Sequence, residues 1–503
     1  MPELEGSELI HEAVGRQALR RPEATAVFFR GSRVTYGTLD AAAEAYADML
    51  AGAGVGPSST VAVILPRGPQ LIAVLLAVLK CGAAYAAIDR RWPQARIEQV
   101  TRLIAAGTVV SGSPTDATGH WLTLDEPLEQ VAARARPRPR VRIDGAHPAT
   151  VFFTSGSTGN PKAVVSPHRA TTRLFTPGGF ADFGPGHTML QAAPCSWDAF
   201  SLEVWGPLIS GGTCAVAEQD HLLPGILADL IRTTEVDTAW LTTSLFNLLV
   251  DEDDPGKSCF AGLRQVLTGG ERLSPAHVAS LLARHPDVDL INGYGPVESC
   301  VFATTHKISA MDCARDTGIP LGTPVPQTTV LVLDGERVLP RDSLGEICIA
   351  GAGLAIGYAG DPDATDAAFA TVQLDGVPTR VYRTGDFGLI DSDGLLHFRG
   401  RRDLQIKIAG YRIEPEEIEA VARQLPGVRD VAVVATAAQD GESARLLLLY
   451  TTAAGDAPRP HAVRRALVAV LPAYLVPHVV RQMTTLPTTA TGKLDRQALL
   501  ASC

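Results

Sequence analysis

The sequence predicts an α/β protein in which a large N-terminal domain of parallel α/β subdomains and a small β subdomain precedes a small α+β C-terminal domain. Three observations support this fold class. Helical and strand patterns alternate through roughly the first 300 residues, which favours right-handed crossovers and largely parallel sheets. From about Thr329 the helical patterns stop and short β segments follow. The 503 residues are also too many for one ordinary core, so we expect about two to four units.

The first predicted elements alternate from Thr35 onward. Thr35 is a suitable N-cap for a helix from Tyr36 to about Ala53, which Gly54 would close. The next predicted strands are residues 60–65, 85–89 and 108–111, and the predicted helices between them are 69–81 and 93–104.

A glycine-rich stretch follows an apolar strand at residues 151–163, which read V-F-F-T-S-G-S-T-G-N-P-K-A. Small residues and a lysine after a buried strand can surround phosphate oxygens with backbone N–H groups and positive charge. The stretch is not a Walker A loop, because Pro161 replaces the second glycine and Ala163 replaces the Mg²⁺-binding hydroxyl. From these residues alone, a flexible surface linker is the alternative.

The alternation resumes after this loop. Predicted strands lie near Met189, at 213–217, at 239–241, at Val266 and at Leu290, and predicted helices lie at 199–209, 224–234 and 275–284. Ligands of parallel sheets bind at the carboxyl ends of strands. The sequences T-S-G-S-T-G, L-T-G-G-E and N-G-Y-G-P all fall at such ends, so we expect them to contribute to a ligand site.

The predicted secondary structure of the last third of the chain changes twice, first to β segments and then to a mixture of helices and strands. Beyond Thr329 the helices are expected to stop, and β segments at 329–333, 346–350 and 395–399 predict an antiparallel subdomain. After Asp403 we expect a β segment, a helix beginning near Glu414, strands at 431–435 and 445–451, a helix near 462–471 and a final strand. About a hundred residues suffice for an independent unit, so the predicted domains are 1–401 and 402–503.

Composition and charge indicate a soluble globular protein. The net charge of −10 opposes nonspecific binding to nucleic acid, and the basic run at 134–142 is rich in proline, which favours a solvated connector. The eight cysteines form no C-x-x-C pair, so we expect reduced, mostly buried thiols. The N-terminus lacks the apolar core of a secretory signal, and the apolar run at 71–88 is interrupted and short for a bilayer. We therefore expect a cytoplasmic protein with no nucleic-acid or membrane partner.

Short motifs punctuate nearly the whole chain in a fixed order. They are V-T-Y-G-T-L-D (34–40), L-K-C-G-A-A-Y-A-A-I-D (79–89), the loop at 151–163, N-G-Y-G-P-V-E (292–298), G-E-I-C-I-A-G-A-G-L-A-I-G-Y (345–358), Y-R-T-G-D-F (382–387), G-R-R-D-L-Q-I-K-I-A-G-Y-R-I-E (400–414), L-P-A-Y-L-V-P (471–477) and T-G-K-L-D-R (491–496). Each motif alone is a weak signal. The ordered set resembles the adenylate-forming (ANL) superfamily, most closely the amino-acid adenylation domains of nonribosomal peptide synthetases. The resemblance implies an ATP-dependent, AMP-forming amino-acid ligase.

The resemblance also implies a site for ATP and Mg²⁺. Tyr294 matches the aromatic residue that stacks on adenine, and Glu298 matches the Mg²⁺ ligand. Asp386 and Arg401 match residues that hold the ribose hydroxyls. The other implied nucleotide-binding positions are Thr154, Ser155, Gly156, Ser157, Thr158, Gly159, Lys162, Gly270, Glu271, Arg272, Asn292, Gly293, Gly295, Val297 and Phe398. Val297 replaces the family's threonine, and the missing hydroxyl could weaken ATP binding by about 1–2 kcal/mol.

Two lysines are implied to be catalytic. Lys493 matches the lysine that contacts the substrate carboxylate and the α-phosphate, where a cation is needed between two anions. Asp403 matches the hinge about which a mobile C-terminal domain swings between two reactions. Lys407 and Gly410 match the strand that faces the nucleotide after this swing. The alternative for each lysine is a solvated surface position.

The resemblance makes Asp198 the acid that pairs with the α-ammonium group of an amino-acid substrate. The implied pocket positions are Asp198, Ala199, Leu202, Trp240, Leu267, Gly269, Gly293, Val301, Phe302 and Lys493. Apart from Asp198 and Lys493 these positions carry no charge. The bulky residues limit the depth of the pocket, and the two glycines are expected to leave a little room. This predicts a small aliphatic L-amino acid, valine first, then alanine or 2-aminobutyrate, although one methylene separates candidates by only about 1–3 kcal/mol. A helix-capping role is the alternative for Asp198.

These features predict a stand-alone ligase that loads its amino acid onto the phosphopantetheine thiol of an acyl or peptidyl carrier protein in trans, because the chain ends about ten residues after Lys493. An excised synthetase domain would look the same, and an aminoacyl group held on a carrier is an alternative acceptor. Two rival functions are an acyl-CoA or aryl-acid ligase of the same superfamily and a non-catalytic ATP-binding protein. Asp198 argues against the first rival, and the joint presence of Glu298, Asp386 and Lys493 argues against the second.

Overall fold

The computed structural model describes residues 9–112, 120–124, 126–156, 159–254, 256–401, 405–436, 445–452, 458–487, 494 and 496–501. The chain divides into two compact units. The large unit comprises residues 1–90, 103–152 and 163–402, and the small unit comprises residues 91–102, 153–162 and 403–503. The domain boundary predicted at residues 401 and 402 stays a prediction.

The first sheet of the large unit has a parallel centre and antiparallel edges. Among the described residues its nine strands are, in spatial order, Thr323–Pro324, Thr304–Lys307, Asp289–Tyr294, Gln265–Gly269, Thr238–Thr242, Thr188–Gln191, Thr213–Val216, Thr25–Phe29 and Ser32–Thr35. The six strands from Asp289–Tyr294 to Thr25–Phe29 pair in parallel. Parallel neighbours need crossover connections. Four helices supply them here, namely Asp198–Ser210, Pro224–Thr234, Thr243–Asp251 and Pro275–Arg284.

The second sheet of the large unit holds the strand that leads into the glycine-rich loop. Its seven strands within the described residues are, in spatial order, Gly357–Tyr358, Lys162–Pro167, Pro148–Thr154, Ala84–Ala87, Thr60–Ile64, Thr108–Ser111 and His120–Thr123. Thr154, Gly269 and Tyr294 are each the last residue of a strand. The three motifs therefore lie at strand ends as expected, but on two different sheets.

The third sheet of the large unit is antiparallel, which confirms the predicted β subdomain. Its described strands are Arg337–Val338, Thr328–Asp334, Gly345–Gly351, Val377–Ile390, Phe369–Leu374 and Leu396–Arg401. The expectation that helices stop at Thr329 is wrong, because helix Pro362–Ala368 interrupts the β region. Proline in its first turn and Asp361, which accepts from the Ala364 N–H at 2.9 Å, account for this helix.

Several helices of the large unit begin and end where local chemistry predicts. Helix Tyr36–Gly52 follows Thr35, whose Oγ1 accepts from the Thr38 N–H at 3.1 Å. Helix Pro69–Lys80 is buried on nearly all sides and ends before Gly82, whose φ is +74°. The remaining helices of this unit are Ile10–Arg20, Leu128–Ala132 and His168–Thr172. Five described helices of this unit were not predicted, namely Ile10–Arg20, Leu128–Ala132, His168–Thr172, Thr243–Asp251 and Pro362–Ala368.

The small unit is an α+β assembly, as predicted. Strands Val428–Ala435 and Leu446–Thr452 pair antiparallel, and Val479–Gln482 adds to the second in parallel. Its described residues also form a hairpin, with strands Ile406–Ile408 and Tyr411–Ile413, and four helices, namely Gln94–Leu103, Pro415–Arg423, Pro460–Val468 and Arg496–Ala501. The predicted final strand is present as Val479–Gln482, and helix Arg496–Ala501, which was not predicted, follows it. Ile418, Leu448 and Leu467 are fully buried in the core of this unit.

Two whole-chain expectations can be compared with the described residues. Every helix in the described part of the chain is too short or too polar to cross a bilayer. The seven cysteines there are free thiols, and all but Cys313 are buried, which confirms the expected reduced thiols. Cys503 lies outside the described residues.

Candidate active site

Two neighbouring parallel strands bring glycines of the predicted site together. Gly269 and Gly293 are paired residues of strands Gln265–Gly269 and Asp289–Tyr294. A Cβ atom on Gly269 would overlap the Gly293 carbonyl oxygen, so only glycine allows this close approach. The strand ends are therefore fixed against each other where the predicted amino-acid and nucleotide positions begin.

Asp198 is the first residue of helix Asp198–Ser210. Its Oδ1 accepts from the Ala199 N–H at 2.9 Å, which is a capping contact, and its Oδ2 accepts from the Val301 N–H at 3.0 Å. The second bond joins the helix to a segment about a hundred residues away in sequence, which a cap alone does not require. Desolvation raises the pKa of Asp198 to about 6, although both N–H groups favour the ionised form.

The predicted apolar pocket positions lie in one buried cluster. Its members from the predicted set are Ala199, Leu202, Trp240, Leu267, Val301 and Phe302. The Trp240 and Phe302 rings are 5.4 Å apart between centroids. A Cβ on Gly293 would overlap the Phe302 ring, so that ring already fills the space beside this glycine. The expectation that the two glycines leave room is therefore wrong, because the Phe302 ring lies beside Gly293 and the Gly293 carbonyl oxygen lies beside Gly269.

A second cluster joins Tyr294, Asp386 and Arg401. The Tyr294 hydroxyl donates to Asp386 Oδ2 at 2.7 Å, and Arg401 Nη1 donates to Asp386 Oδ1. Asp386 and Arg401 face each other across strands Val377–Ile390 and Leu396–Arg401. Burial and the Asp386 charge raise the pKa of Tyr294 well above its usual value, so it stays a donor. The cluster presents a fixed, buried carboxylate.

The T-G-D sequence that contributes Asp386 lies within a strand rather than in the surface turn that its composition suggests. Thr384 Oγ1 donates to the Ile347 carbonyl at 2.6 Å and accepts from the Asp386 N–H at 3.0 Å. The threonine thus satisfies the backbone beside Gly385, whose φ is +72°.

Glu298 is fully buried in the short 3-10 helix Val297–Ser299. Its Oε1 accepts from the Tyr358 hydroxyl at 2.7 Å. Sequence reasoning gave Tyr358 no role, although it ends the motif at 345–358. A tyrosine that orients a buried carboxylate is a typical supporting residue for a metal ligand.

The other predicted nucleotide positions of the large unit lie at or just after the ends of strands Gln265–Gly269 and Asp289–Tyr294, except Phe398, which lies on strand Leu396–Arg401. Gly270 has a φ of +87°, Glu271 accepts from Ser244 Oγ at 2.9 Å, and Arg272 is exposed. Asn292 is buried and donates to the Pro320 carbonyl at 2.8 Å. The remaining positions have these environments: Gly295 packs against the Val301 carbonyl, Val297 is half-buried, and half-buried Phe398 pairs with Gly388.

The glycine-rich loop belongs to the small unit and is not a solvated linker there. Buried Ser155 donates from Oγ to the Arg412 carbonyl at 2.6 Å and accepts from the Glu414 N–H at 3.1 Å. The Gly156 N–H donates to Glu417 Oε2 at 3.3 Å. Gly159 has a φ of +84°, and an added Cβ would lie 2.6 Å from the Ala420 Cβ. The loop therefore packs on helix Pro415–Arg423 and the strand before it.

One residue pair beside this loop had no sequence signal. Arg96 Nη1 and Glu417 Oε1 are 2.7 Å apart, and their side chains are 3% and 1% exposed. Burial raises the pKa of Glu417 despite the nearby Arg96 charge. A lone arginine on a predicted helix gives no indication that its partner lies over 300 residues away.

The remaining predicted site residues fall in the small unit. Lys407 lies on strand Ile406–Ile408, as predicted, whereas Gly410 lies in the hairpin turn with a φ of +82°, which corrects its predicted place on the strand. Thr154 is buried at a strand end, and Lys162 begins the next strand. Ser157, Thr158, Asp403 and Lys493 lie outside the described residues.

Family models match both parts of the chain. Residues 14–359 match the model described as AMP-binding enzyme, and residues 417–493 match the AMP-binding enzyme C-terminal domain. The first match alone covers more than half of the chain.

Curated relatives include synthases and synthetases that are much longer than this chain. The chain is 34% identical over 495 residues to tyrocidine synthase 3 of Brevibacillus parabrevis, covering 97% of the chain and 8% of that protein. It is 36% identical over 506 residues to malpibaldin synthetase of Mortierella alpina, covering 96% of the chain and 9% of that protein. The chain thus spans less than a tenth of the length of these two relatives.

Solved structures with the same fold include holo-PA1221, an NRPS protein containing adenylation and PCP domains, at 36% identity and a TM-score of 0.89 over 99% of this chain and 85% of that one. The fused adenylation–PCP di-domain NpsA-ThdA from Klebsiella oxytoca matches at 26% identity and a TM-score of 0.84, over 95% of this chain and 94% of that one. The neighbours share a large N-terminal and a small C-terminal domain, which confirms the predicted fold class. The chain belongs to the family of AMP-binding enzymes and is an AMP-forming adenylation domain of the nonribosomal peptide synthetase type.

Proposed function

We propose that this chain activates a small aliphatic L-amino acid as its aminoacyl-adenylate and passes the aminoacyl group to a carrier protein. The observation that carries the substrate class is Asp198, whose carboxylate is held by two backbone N–H groups beside a pocket that is otherwise apolar. A desolvated carboxylate needs a cation, and the α-ammonium group of an amino acid supplies one. Fatty and aryl acids lack that group.

The first reaction joins a carboxylate oxygen of the amino acid to the α-phosphorus of ATP and releases pyrophosphate. AMP then serves as the leaving group that a free carboxylate lacks. Positive charge must offset the two anions as they approach. Lys493 is the proposed cation at that point, and its place in T-G-K-L-D-R supports the assignment.

The proposed nucleotide contacts divide between sugar, base and phosphates. Asp386, held by Tyr294 and Arg401, keeps further lone pairs to accept from ribose hydroxyls. Glu298 fits a Mg²⁺ ion, because Mg²⁺ is commonly held by one or two carboxylates together with substrate phosphates. When bound, the ion would neutralise phosphate charge. The loop at 154–159 with Lys162 is proposed to cover the β- and γ-phosphates.

The size of the pocket supports a short side chain. Trp240 and Phe302 face each other, and the Phe302 ring occupies the space beside Gly293. Valine is the first candidate, followed by alanine and 2-aminobutyrate. The Trp240 Nε1–H is buried without a hydrogen-bond partner among the described residues, so threonine, the hydroxyl analogue of valine, is an informative comparison.

Isotope exchange between pyrophosphate and ATP, measured across a panel of acids, tests this proposal. The panel contains valine, alanine, 2-aminobutyrate, threonine, aspartate, lysine, benzoate and hexanoate. We expect exchange with the small aliphatic amino acids and none with the charged ones. Exchange with benzoate or hexanoate alone would select an aryl-acid or acyl-CoA ligase instead. The absence of exchange with every acid, in a preparation that binds ATP, would favour a non-catalytic ATP-binding protein.

The proposed acceptor is the phosphopantetheine thiol of a carrier protein. The likeness to proteins that contain adenylation and PCP domains supports this class of partner. Incubation with ATP, the preferred amino acid and a phosphopantetheinylated carrier should raise the carrier mass by one aminoacyl group that hydroxylamine removes. Release of a dipeptidyl hydroxamate by hydroxylamine, seen only with a carrier already loaded with an aminoacyl group, would identify the alternative amine acceptor.

A further inference from the structure

Arg173 is a buried cation beside the candidate amino-acid site, and sequence reasoning gave it no role. It is 2% exposed and begins the 3-10 turn Arg173–Phe175. Burial lowers its pKa to about 10, and no carboxylate of the described residues forms an ion pair with it. A buried arginine without an acidic partner is unusual, so its hydrogen bonds must account for its position.

All three guanidinium nitrogens donate to oxygen atoms. Nη2 donates to the Ser299 carbonyl at 2.8 Å and to the Phe302 carbonyl at 2.7 Å. Nε donates to Thr328 Oγ1 at 3.2 Å, and Nη1 donates to the Ala170 carbonyl. One nitrogen therefore ties together two carbonyls that are three residues apart in the chain.

The two residues between these carbonyls have an unusual backbone. Cys300 has a φ of +54° and Val301 a φ of +62°. A β-branched residue with a positive φ, such as Val301, is a genuine outlier, and two successive non-glycine residues with positive φ persist only where their surroundings enforce them. The Phe302 N–H closes the turn by donating to the Cys300 carbonyl at 2.9 Å. Arg173 supplies the enforcement from outside the turn, because its bonds reach the carbonyls on either side.

The left-handed turn matters because it aims a backbone donor. The Val301 N–H donates to Asp198 Oδ2 at 3.0 Å. Segment 299–302 is thus held from one side by Arg173 and from the other by Asp198. A relaxed backbone would turn the Val301 N–H and the Val301 and Phe302 side chains away from their present positions.

We propose that Arg173 is a positioning residue for amino-acid binding. Its guanidinium holds segment 299–302 in the left-handed conformation, which orients the Asp198 carboxylate and sets the pocket wall. Lysine cannot replace it, because a single ammonium group lacks the planar array that reaches all four oxygens. The kinetic consequences rest on the proposed function, whereas the conformational consequence does not.

The kinetic test compares Arg173→Lys with Arg284→Lys in the pyrophosphate exchange assay. Arg284 also donates to two carbonyls, those of Val250 and Asp253, in a part of the large unit where no site residue is predicted. For Arg173→Lys we expect the amino-acid KM to rise about tenfold or more while the ATP KM changes less than about twofold. The control should leave both KM values within about twofold.

A second measurement follows the backbone directly and needs no turnover. Cys300 is fully buried at the left-handed turn, and Cys214 is fully buried in another core cluster. In Arg173→Lys, alkylation mapped by mass spectrometry should become about tenfold faster at Cys300 and stay unchanged at Cys214. If exchange fails for every amino acid, this labelling still decides the role of Arg173, so the two proposals fail separately.

Two further variants keep the proposal testable if Arg173→Lys does not fold. Thr328→Val removes the acceptor of Arg173 Nε, together with a hydrogen bond of 3.3 Å from Thr328 Oγ1 to the Pro326 carbonyl, and leaves the other Arg173 bonds in place. It should produce the same changes, about threefold in size. Adding Cys300→Gly to Arg173→Lys should lower the amino-acid KM part of the way back to the wild-type value, because glycine adopts positive φ without support. Unchanged Cys300 labelling in Arg173→Lys would overturn the proposal. Equal acceleration at Cys300 and Cys214 would also overturn it, since that indicates general unfolding.

Discussion

The protonation state of Asp198 governs whether the proposed site can hold an ammonium group. Its neighbours favour the ionised form through two N–H bonds, yet desolvation dominates and the pKa of the carboxyl group is about 6. Below that pH the free enzyme carries a neutral acid, which cannot form an ion pair with the substrate. The pH dependence of the activity should therefore follow the ionisation of Asp198.

We expect kcat/KM for the amino acid to rise about tenfold per pH unit below pH 6 and to level off above it, because kcat/KM reports the free enzyme. In Asp198→Asn, kcat/KM should fall about 100-fold or more, and the inflection near pH 6 should vanish. Exchange kinetics between pH 5 and 8 measure both effects. An unchanged inflection in Asp198→Asn would assign it to another group.

Asp386 provides a second test at the residue scale. Asp386→Asn keeps the shape but removes the charge that Tyr294 and Arg401 both contact. Hydrogen bonds to charged groups contribute about 1.5–3 kcal/mol, so the ATP KM should rise about 10- to 100-fold with little change in the amino-acid KM. Asp289→Asn is the control, since Asp289 pairs with exposed Lys307 at the surface. Equal ATP KM values in both variants would contradict a ribose role.

At the scale of elements, two parallel strands and the segment that follows them determine the size of the pocket. Strands Gln265–Gly269 and Asp289–Tyr294 end in paired glycines, and the Phe302 ring packs on the second glycine. Phe302→Ala should therefore open space beside Gly293. We expect exchange to extend to leucine and isoleucine, with valine losing less than about tenfold in kcat/KM. A variant that accepts only the wild-type substrates would contradict this description of the pocket wall.

The helices Gln94–Leu103 and Pro415–Arg423 of the small unit carry a stability prediction. Arg96 and Glu417 form a buried ion pair between these helices. Removing one partner should lower the free energy of unfolding more than replacing both partners with apolar residues. Glu417→Ala leaves a buried cation and should lower the free energy of unfolding of this unit by about 3–5 kcal/mol. The double variant Arg96→Met/Glu417→Met should recover most of that loss. Urea denaturation measures both, and equal losses in the two variants would contradict the argument.

For the molecule as a whole, the sequence predicts the fold class better than it predicts the individual helices and strands. The helix at Tyr36–Gly52 was predictable because Thr35 caps it locally, and Pro224–Thr234 and Pro275–Arg284 because prolines mark their starts. The strand through Thr384–Asp386 was not, because a turn-like composition is overridden by hydrogen bonds to a neighbouring strand. Capping residues and prolines therefore predict elements that are stabilised locally, but not elements that depend on hydrogen bonds to distant segments.

The candidate site divides in the same way. Glu298 and Asp386 stand out in sequence because motifs surround them, and Asp198 was identified through the family resemblance alone. Arg173 and Arg96 do not, because the groups that satisfy them come from distant segments. The space beside Gly293 was also misjudged, since a glycine in sequence does not reveal which neighbouring ring fills its volume.

Lys493 lies outside the described residues, so its role is a prediction for the whole chain. Lys493→Ala should abolish adenylate formation while ATP binding stays measurable, because the lysine is assigned to the reacting carboxylate and α-phosphate. Exchange kinetics and equilibrium ATP binding measure the two effects. Wild-type exchange by the variant would show that the assigned role is wrong.

The central claim is that the α-ammonium group defines the substrate, and acid pairs that differ only in that group test it most directly. The pairs are valine with 3-methylbutanoate, 2-aminobutyrate with butanoate and alanine with propanoate, each measured by pyrophosphate exchange. The account predicts exchange with at least one amino acid and at least about 100-fold less with its desamino partner, a preference that Asp198→Asn abolishes. Equal exchange with both members of every active pair in the wild-type protein would contradict it.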